Sequence, residues 1–215
     1  HTWALMPNPK SPIRKIAAKQ METAMIRRAM KANAVITSSE GFANWLSSNN
    51  ISATVIENRP QRQTKLSLPE TPTIGYFGRI REISSFQLLV AAMRQIPIDS
   101  RPRLLIAGDG THVDEIHSLA ESSTDLNIEI RGPFDHSEIS SMMSEISLMF
   151  AMYSPDRGNI NEGALPSKMF EAAAYGRPSI VNANTPMAGL CESENLGLSV
   201  RWNDVQGLAT AITRL

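Results

Sequence analysis

Arg103-Leu104-Leu105-Ile106-Ala107-Gly108-Asp109-Gly110-Thr111 is the stretch on which the fold turns. A run of apolar residues without polar alternation, closed by two glycines, reads as a strand covered on both faces and ending in a tight turn. Thr111 stands three residues before Asp114, the spacing of a capping box, so a helix is expected from there to about Glu121. The same unit repeats in both directions. Upstream, Thr73–Phe77 is an apolar run closed by Gly78, with a helix expected over residues 86–93. Downstream, residues 127–130 form a strand closed by Gly132, and Asp135 with Glu138 opens a helix through Met143. Strands then follow at 148–152, Ser179–Asn182 and 198–200, with helices at 167–175 and 204–214. Strands alternating with helices across short glycine turns mean βαβ units, and so a doubly wound α/β domain with a parallel sheet over residues 72–215. Ligands of such sheets bind beyond the carboxyl ends of the strands.

Residues 1–58 read differently. Ile13, Ile16, Ala17, Met21, Ala24 and Met25 fall at helical spacing, residues 34–37 and 54–57 read as short strands, and 40–47 as a helix. This is too little for a complete domain. The chain opens on His1 rather than Met, and this segment is expected to be the tail of a preceding α/β domain. Residues 59–71, polar and holding two prolines, read as a linker.

Composition narrows the function. Lys+Arg and Asp+Glu are both 21 in 215 residues, and this balance argues against a dedicated nucleic-acid binder. Hydrophobic residues make up 42%, enough for a packed core. The single cysteine, Cys191, can form no internal disulfide, which fits a reducing cytosol. No apolar run is long enough to span a bilayer and no signal peptide is visible, so a cytoplasmic location is expected.

The segment richest in chemistry is Leu165-Pro166-Ser167-Lys168-Met169-Phe170-Glu171-Ala172-Ala173-Ala174-Tyr175-Gly176-Arg177-Pro178. Ser167 can cap a short helix, Gly176 suits its left-handed end, and Pro178 stops it. A helix N-terminus offers amide N–H groups and positive potential to an anion, and Lys168 adds a full charge in the first turn. Glu171, on the same face, can accept two hydrogen bonds from a ribose diol. Read alone, the segment fits equally an ordinary capped helix with a surface Glu–Lys pair. Gly78-Arg79 places an arginine over the sheet edge, where it can clamp a phosphate, although a solvated loop arginine is the simpler local reading. Gly108-Asp109-Gly110 is a partial dinucleotide fingerprint with Val113 in place of its third glycine, and a tight turn explains it as well. Phe134, after Gly132-Pro133, either walls a nucleobase pocket or belongs to the core. His112, His117 and His136 lack metal-ligand spacing, and no P-loop, nucleophile elbow or zincin motif occurs.

In order and spacing these motifs resemble the donor-binding domain of GT-B glycosyltransferases of the family 4-like group, a Rossmann-like half. The resemblance covers residues 73–215 and runs more faintly into 34–58. It rests on Gly78-Arg79, on Gly108 to Gly110, on Gly132, and on the Glu-Ala-x-Ala-x-Gly-x-Pro run from Glu171 to Pro178. The resemblance implies sugar transfer from a nucleotide-diphosphate sugar, retaining and without a metal. Arg79 and Lys168 would be the catalytic cations on the donor diphosphate, Glu171 would hold the ribose, and Gly78, Gly108 and Phe134 would line the donor site. No cofactor is implied; the donor is a UDP-sugar or GDP-sugar and the acceptor a carbohydrate or a lipid-linked sugar. No Asp-x-Asp pair exists, so the metal-chelating donor site of the other common glycosyltransferase fold is not supported.

Two departures stand out. Gly163 occupies the position of a common family glutamate, with Glu162 offset by one, and Ser84 and Ser85 stand where a lysine is expected after Gly-Arg. They leave an alternative open, a non-catalytic GT-B module that holds nucleotide or a partner. Lys10, Arg14, Lys15, Lys19, Arg27, Arg28 and Lys31 face Glu22 alone, and a basic amphipathic helix of this kind can rest on anionic lipid, so peripheral membrane contact is expected beside the plainer reading of a solvated face.

Overall fold

The computed structural model describes residues 12–157, 160 and 163–215. The chain forms two compact units, one of residues up to 58 with 155–165 and 185–187, the other of residues 59–154, 166–184 and 188–215. The first contains α1 (Pro12–Ala29), β1 (Ile36–Thr37), α2 (Glu40–Ser48) and β2 (Thr54–Val55), with the two strands paired in parallel. The chain continues through β3 (Thr73–Phe77), α3 (Ser84–Arg94), β4 (Arg103–Ala107), α4 (Val113–Glu121), β5 (Ile128–Arg131) and α5 (Ile139–Ser144). It ends with β6 (Leu148–Ala151), α6 (Ser167–Ala174), β7 (Ser179–Asn182), α7 (Pro186–Ser193), β8 (Gly197–Val200) and α8 (Val205–Arg214).

The larger sheet has six parallel strands in the order β5-β4-β3-β6-β7-β8. Growth of the sheet therefore reverses between β3 and β6. Alternation along each strand divides the core in two. Ile74, Tyr76, Leu104, Ile106 and Phe150 face one layer, with Phe86 and Leu89 of α3, Ile116 of α4 and Leu208 of α8. Phe77, Leu105, Ala107 and Met149 face the other, with Met142 and Met143 of α5 and Ala172 of α6. Helices on both faces explain the unbroken apolar strands, and the doubly wound parallel sheet is the architecture expected.

Several local readings change. Thr111 does not cap α4: the helix starts at Val113 after His112, and the Thr111 hydroxyl pairs with the His112 ring at 2.9 Å. Ser167 does not cap α6 but is its first residue, after Pro166. At the other end Gly176, at φ 75, closes α6 as expected, with Arg177 N–H donating to Ala172 O (2.9 Å) and Gly176 N–H to Ala173 O (3.0 Å), a Schellman motif. On α1 the covered side chains are Ala18, Glu22, Met25, Ile26 and Ala29, whereas Ile16, Ala17, Met21 and Ala24 of the expected inner face are exposed. Lys10 and the side chains of Ile13 and Arg14 lie outside what is described.

Residues 59–71 behave as a strap along the larger unit. Arg59 forms a two-pronged pair with Glu194 (2.6 and 2.7 Å) and lies 4.9 Å over the Phe170 ring. Gln63 and Leu66 N–H donate to Ala174 O and Tyr175 O (3.2 and 3.3 Å). Arg177, 1% exposed, donates to Leu66 O (3.2 Å), Ser67 O (2.5 Å) and Met143 O (2.9 Å). A buried guanidinium without a carboxylate is thus satisfied by carbonyls, and burial lowers its pKa.

Candidate functional site

β3 and β6 pair only at Ile74↔Leu148 and Gly75↔Met149, although β3 runs on to Phe77 and β6 to Ala151. Their carboxyl ends therefore part at the point where strand order reverses, the place where ligands enter open α/β sheets. The glycine turns stand side by side along this edge. Gly78 N–H donates to Ala107 O (2.9 Å), Ile80 N–H to Asp109 O (2.6 Å), and Gly108 N–H to Gly132 O (3.0 Å). Gly108 sits at φ +143, and a Cβ there would lie 2.0 Å from Gly78 O. The glycine pair after β4 thus serves the close approach of two turns.

Lys168 reaches this mouth from the first turn of α6. Its side chain is 8% exposed, and its ammonium stands 3.2 Å from the centroid of the Tyr76 ring and 5.5 Å from that of Tyr153. A Cβ on Gly78 would lie 3.8 Å from Lys168 Nζ, so the bare glycine backbone leaves the ammonium its place. Tyr76 comes from β3 and Tyr153 follows β6, so the lysine spans the gap between the parting strands. Asn182, 3% exposed at the end of β7, accepts from Tyr153 N–H (2.8 Å) and donates to Tyr153 O (2.9 Å). Among the described residues no side chain caps the first turn of α6, where the helix offers its amides and Lys168.

Arg79 is exposed beside the mouth and only loosely paired, 3.8 Å from Asp109. Its backbone carbonyl accepts a 2.8 Å hydrogen bond from the Tyr76 hydroxyl. Glu171 is half-buried on α6, and among the described residues no hydrogen bond or ion pair engages its carboxylate. Phe134 is half-buried, packs on the core layer of α5, and meets Phe77 edge-on with centroids 6.2 Å apart. The structure thus gathers Gly78, Arg79, Gly108 and Lys168, with Phe134 one residue behind in the core edge through Phe77. Tyr76, Tyr153 and Asn182 went unnoticed in the sequence.

The departures have local causes. Gly163 stands at φ +105, with a Cβ position 2.6 Å from Gly41 Cα in the same unit, so a glutamate there would be strained and obstructed. Glu162 lies outside the described residues. In place of the expected lysine, the Ser84 hydroxyl (2.5 Å) and the Ser85 N–H (3.0 Å) both donate to Glu82, which closes the start of α3. Among the described residues no three His, Cys, Asp or Glu side chains converge to hold a metal, and no helix is long and apolar enough to cross a membrane.

Residues 71–215 match the family model described as glycosyl transferases group 1. The chain is 25% identical over 162 residues to the succinoglycan biosynthesis protein ExoL of Rhizobium meliloti (strain 1021), covering 73% of this chain and 39% of that one. A TarM mutant of S. aureus, in complex with Fondaparinux, alpha-GlcNAc-glycerol and UDP, superposes with a TM-score of 0.74 at 17% identity, over 98% of this chain and 42% of that one. Anabaena Alr3699/HepE, in complex with UDP and glucose, gives a TM-score of 0.69 at 16% identity, over 91% and 57%. Such identities speak for the fold alone, and the chain spans well under two thirds of each relative. The family match covers every strand of the six-stranded sheet and the Gly78, Lys168 and Glu171 positions, and by it the chain belongs to the group 1 glycosyl transferases, with the Rossmann-like architecture of a GT-B half.

Proposed function

We propose that the larger unit binds the nucleoside diphosphate of a UDP-sugar or GDP-sugar, and that the sugar passes to a carbohydrate or lipid-linked acceptor with retention of configuration and without a metal. The observation that carries this is the buried Lys168 ammonium, held at the mouth between β3 and β6 beside the bare backbone of Gly78. When the bond from the anomeric carbon to the diphosphate breaks, its electron pair stays on the phosphate oxygen. The leaving group gains negative charge, which a fixed ammonium in a water-poor site stabilises far better than water does. The Arg79–Asp109 pair is exposed and long, so Arg79 can turn to the phosphates at little cost. The Glu171 carboxylate, set back on α6, suits a ribose diol. The TarM complex contains UDP and the HepE complex UDP and glucose, so UDP is the first nucleotide to try. Thermal unfolding with UDP and with GDP checks the binding step. One of them is expected to raise the Tm, as any ligand of the native state must, and Lys168→Ala to remove the rise. No shift with either would count against the donor site.

The strained Gly163 position, which excludes a carboxylate side chain, favours a second reading in which the unit binds nucleotide without turnover. Release of free UDP from UDP-glucose in the presence of lipid-linked or carbohydrate acceptors separates the two: binding with no release supports the module. On α1, Ile16 and Met21 are exposed, as are Arg27 and Arg28 of its last turn, and contact of this helix with anionic lipid is part of the same proposal.

A further inference from the structure

Tyr76 touches the Lys168 ammonium and the Arg79 backbone by different atoms. Its ring face lies under Lys168 Nζ at 3.2 Å, and its hydroxyl donates a 2.8 Å hydrogen bond to the carbonyl of Arg79. The ring is 3% exposed and is itself held edge-on by Phe86 of α3, centroids 4.6 Å apart at 62°. We propose that Tyr76 is a positioning residue of the donor site: its ring fixes the Lys168 ammonium at the mouth of the crevice and its hydroxyl fixes the backbone of the Gly78-Arg79 turn, from which the Arg79 side chain reaches the diphosphate. This rests on the donor-site reading above and deepens it.

The chemistry requires a tyrosine. An ammonium this buried has lost much of its hydration, and an aromatic face returns part of that stabilisation through its quadrupole without bringing a negative charge to the site. A carboxylate in the same place would neutralise the lysine and repel the phosphate. Leucine would fill the core without the quadrupole, and phenylalanine would supply the ring without the bond to Arg79 O. Tyr153, pinned by Asn182, limits the lysine from a second side. The device joins β3 to α6, elements far apart in sequence, at the strand gap where the ligand enters.

Isothermal titration of UDP and GDP into wild type, Lys168→Ala, Tyr76→Phe, Tyr76→Leu and the double variant Tyr76→Leu/Lys168→Ala tests it. Tyr76→Leu is expected to weaken the nucleotide about tenfold, and Tyr76→Phe only about threefold, because the ring remains. In the Lys168→Ala background the added Tyr76→Leu is expected to cost only the roughly threefold of the lost hydroxyl instead of about tenfold, the non-additivity of a ring that acts through the lysine. A purely packing role would lower stability in Tyr76→Leu and leave the two losses additive. Wild-type affinity in Tyr76→Leu, or additive losses, would overturn the inference while leaving the donor site standing. If Lys168→Ala itself binds like wild type, or wild type binds neither nucleotide, the donor-site reading fails and this inference with it. Should Tyr76→Leu not fold, Tyr76→Met, non-aromatic and of similar reach, takes its place in every arm.

Discussion

At the scale of single residues, the site trades packing for charge. Lys168 occupies a buried place among aromatic rings that an apolar side chain could fill, and residues kept for function commonly cost stability. Lys168→Met is therefore expected to unfold at or above the wild-type Tm without ligand while losing nucleotide binding; a Tm lowered by several degrees would mean that the lysine is structural. Gly108 presents the opposite case. Its positive φ and the 2.0 Å approach of a Cβ to Gly78 O admit no side chain. Gly108→Ala is expected to lower stability by roughly 2 kcal/mol or more, the scale of a strained left-handed residue plus a displaced turn, read from urea midpoints. An unchanged midpoint would show that the two turns are free to separate. Cys191 is buried beside Glu192, and both effects push its thiol up to about 11. It is expected to resist thiol reagents at neutral pH in the native protein and to react on unfolding.

At the scale of elements, the strap of residues 59–67 steadies α6, the helix that carries Lys168 and Glu171. Arg177→Ala would leave the carbonyls of Met143, Leu66 and Ser67 without their donor, at a cost of about 1–3 kcal/mol for the buried bonds. Limited proteolysis is expected to cut such a variant within residues 59–67 faster than wild type; equal rates would deny the strap its role. The lipid contact proposed for α1 is checked by flotation with anionic vesicles, in which Arg27→Glu/Arg28→Glu is expected to abolish binding that the wild type shows; no wild-type binding would dismiss it. The strands were readable because coverage on both faces leaves unbroken apolar runs, and the turns because glycines close them. Lys168, Glu171 and Arg79 are singled out by the resemblance of their motifs, because locally a capped helix and a solvated loop arginine explain them as well. Tyr76 is not, since a tyrosine in an apolar strand looks like core and its partner lies on a distant helix. In sequence the strap looks like a linker, because its proline-bearing stretch is polar and everything that holds it lies far away along the chain. α7, with Gly189 and Cys191 inside it and no capping signal, left no pattern to follow. α4 and α6 start after His112 and Pro166, with no side-chain cap among the described residues, and the inner face of α1 falls on a different side from the stripe its apolar residues suggest.

At the scale of the whole molecule, ion pairs make stability depend on acid. Hydrogen bonds from Arg59 hold the Glu194 carboxyl below its ordinary range, and Arg131 with Arg103 does the same for Glu145. A carboxylate whose folded pKa is depressed contributes stability that is present above its unfolded value and lost as pH falls through the folded one. Stability is therefore expected to hold near neutrality and to decline as pH falls below the ordinary glutamate range, more gently in Glu194→Gln; because these groups are partly exposed, salt should reduce the effect. A urea midpoint that does not change between pH 6 and pH 3 would contradict this. Residues 71–215 belong to the group 1 glycosyl transferases, and the parting of β3 from β6 lies where the proposed donor would enter. The most direct test of the central claim is calorimetric titration of UDP and GDP into the protein, with Lys168→Ala and Glu171→Ala alongside. One nucleotide is expected to bind, weakened about 10- to 100-fold by either substitution, the loss of a charged hydrogen bond. Binding that neither substitution alters would move the donor site away from α6, and no binding of either nucleotide by the folded protein would contradict the account.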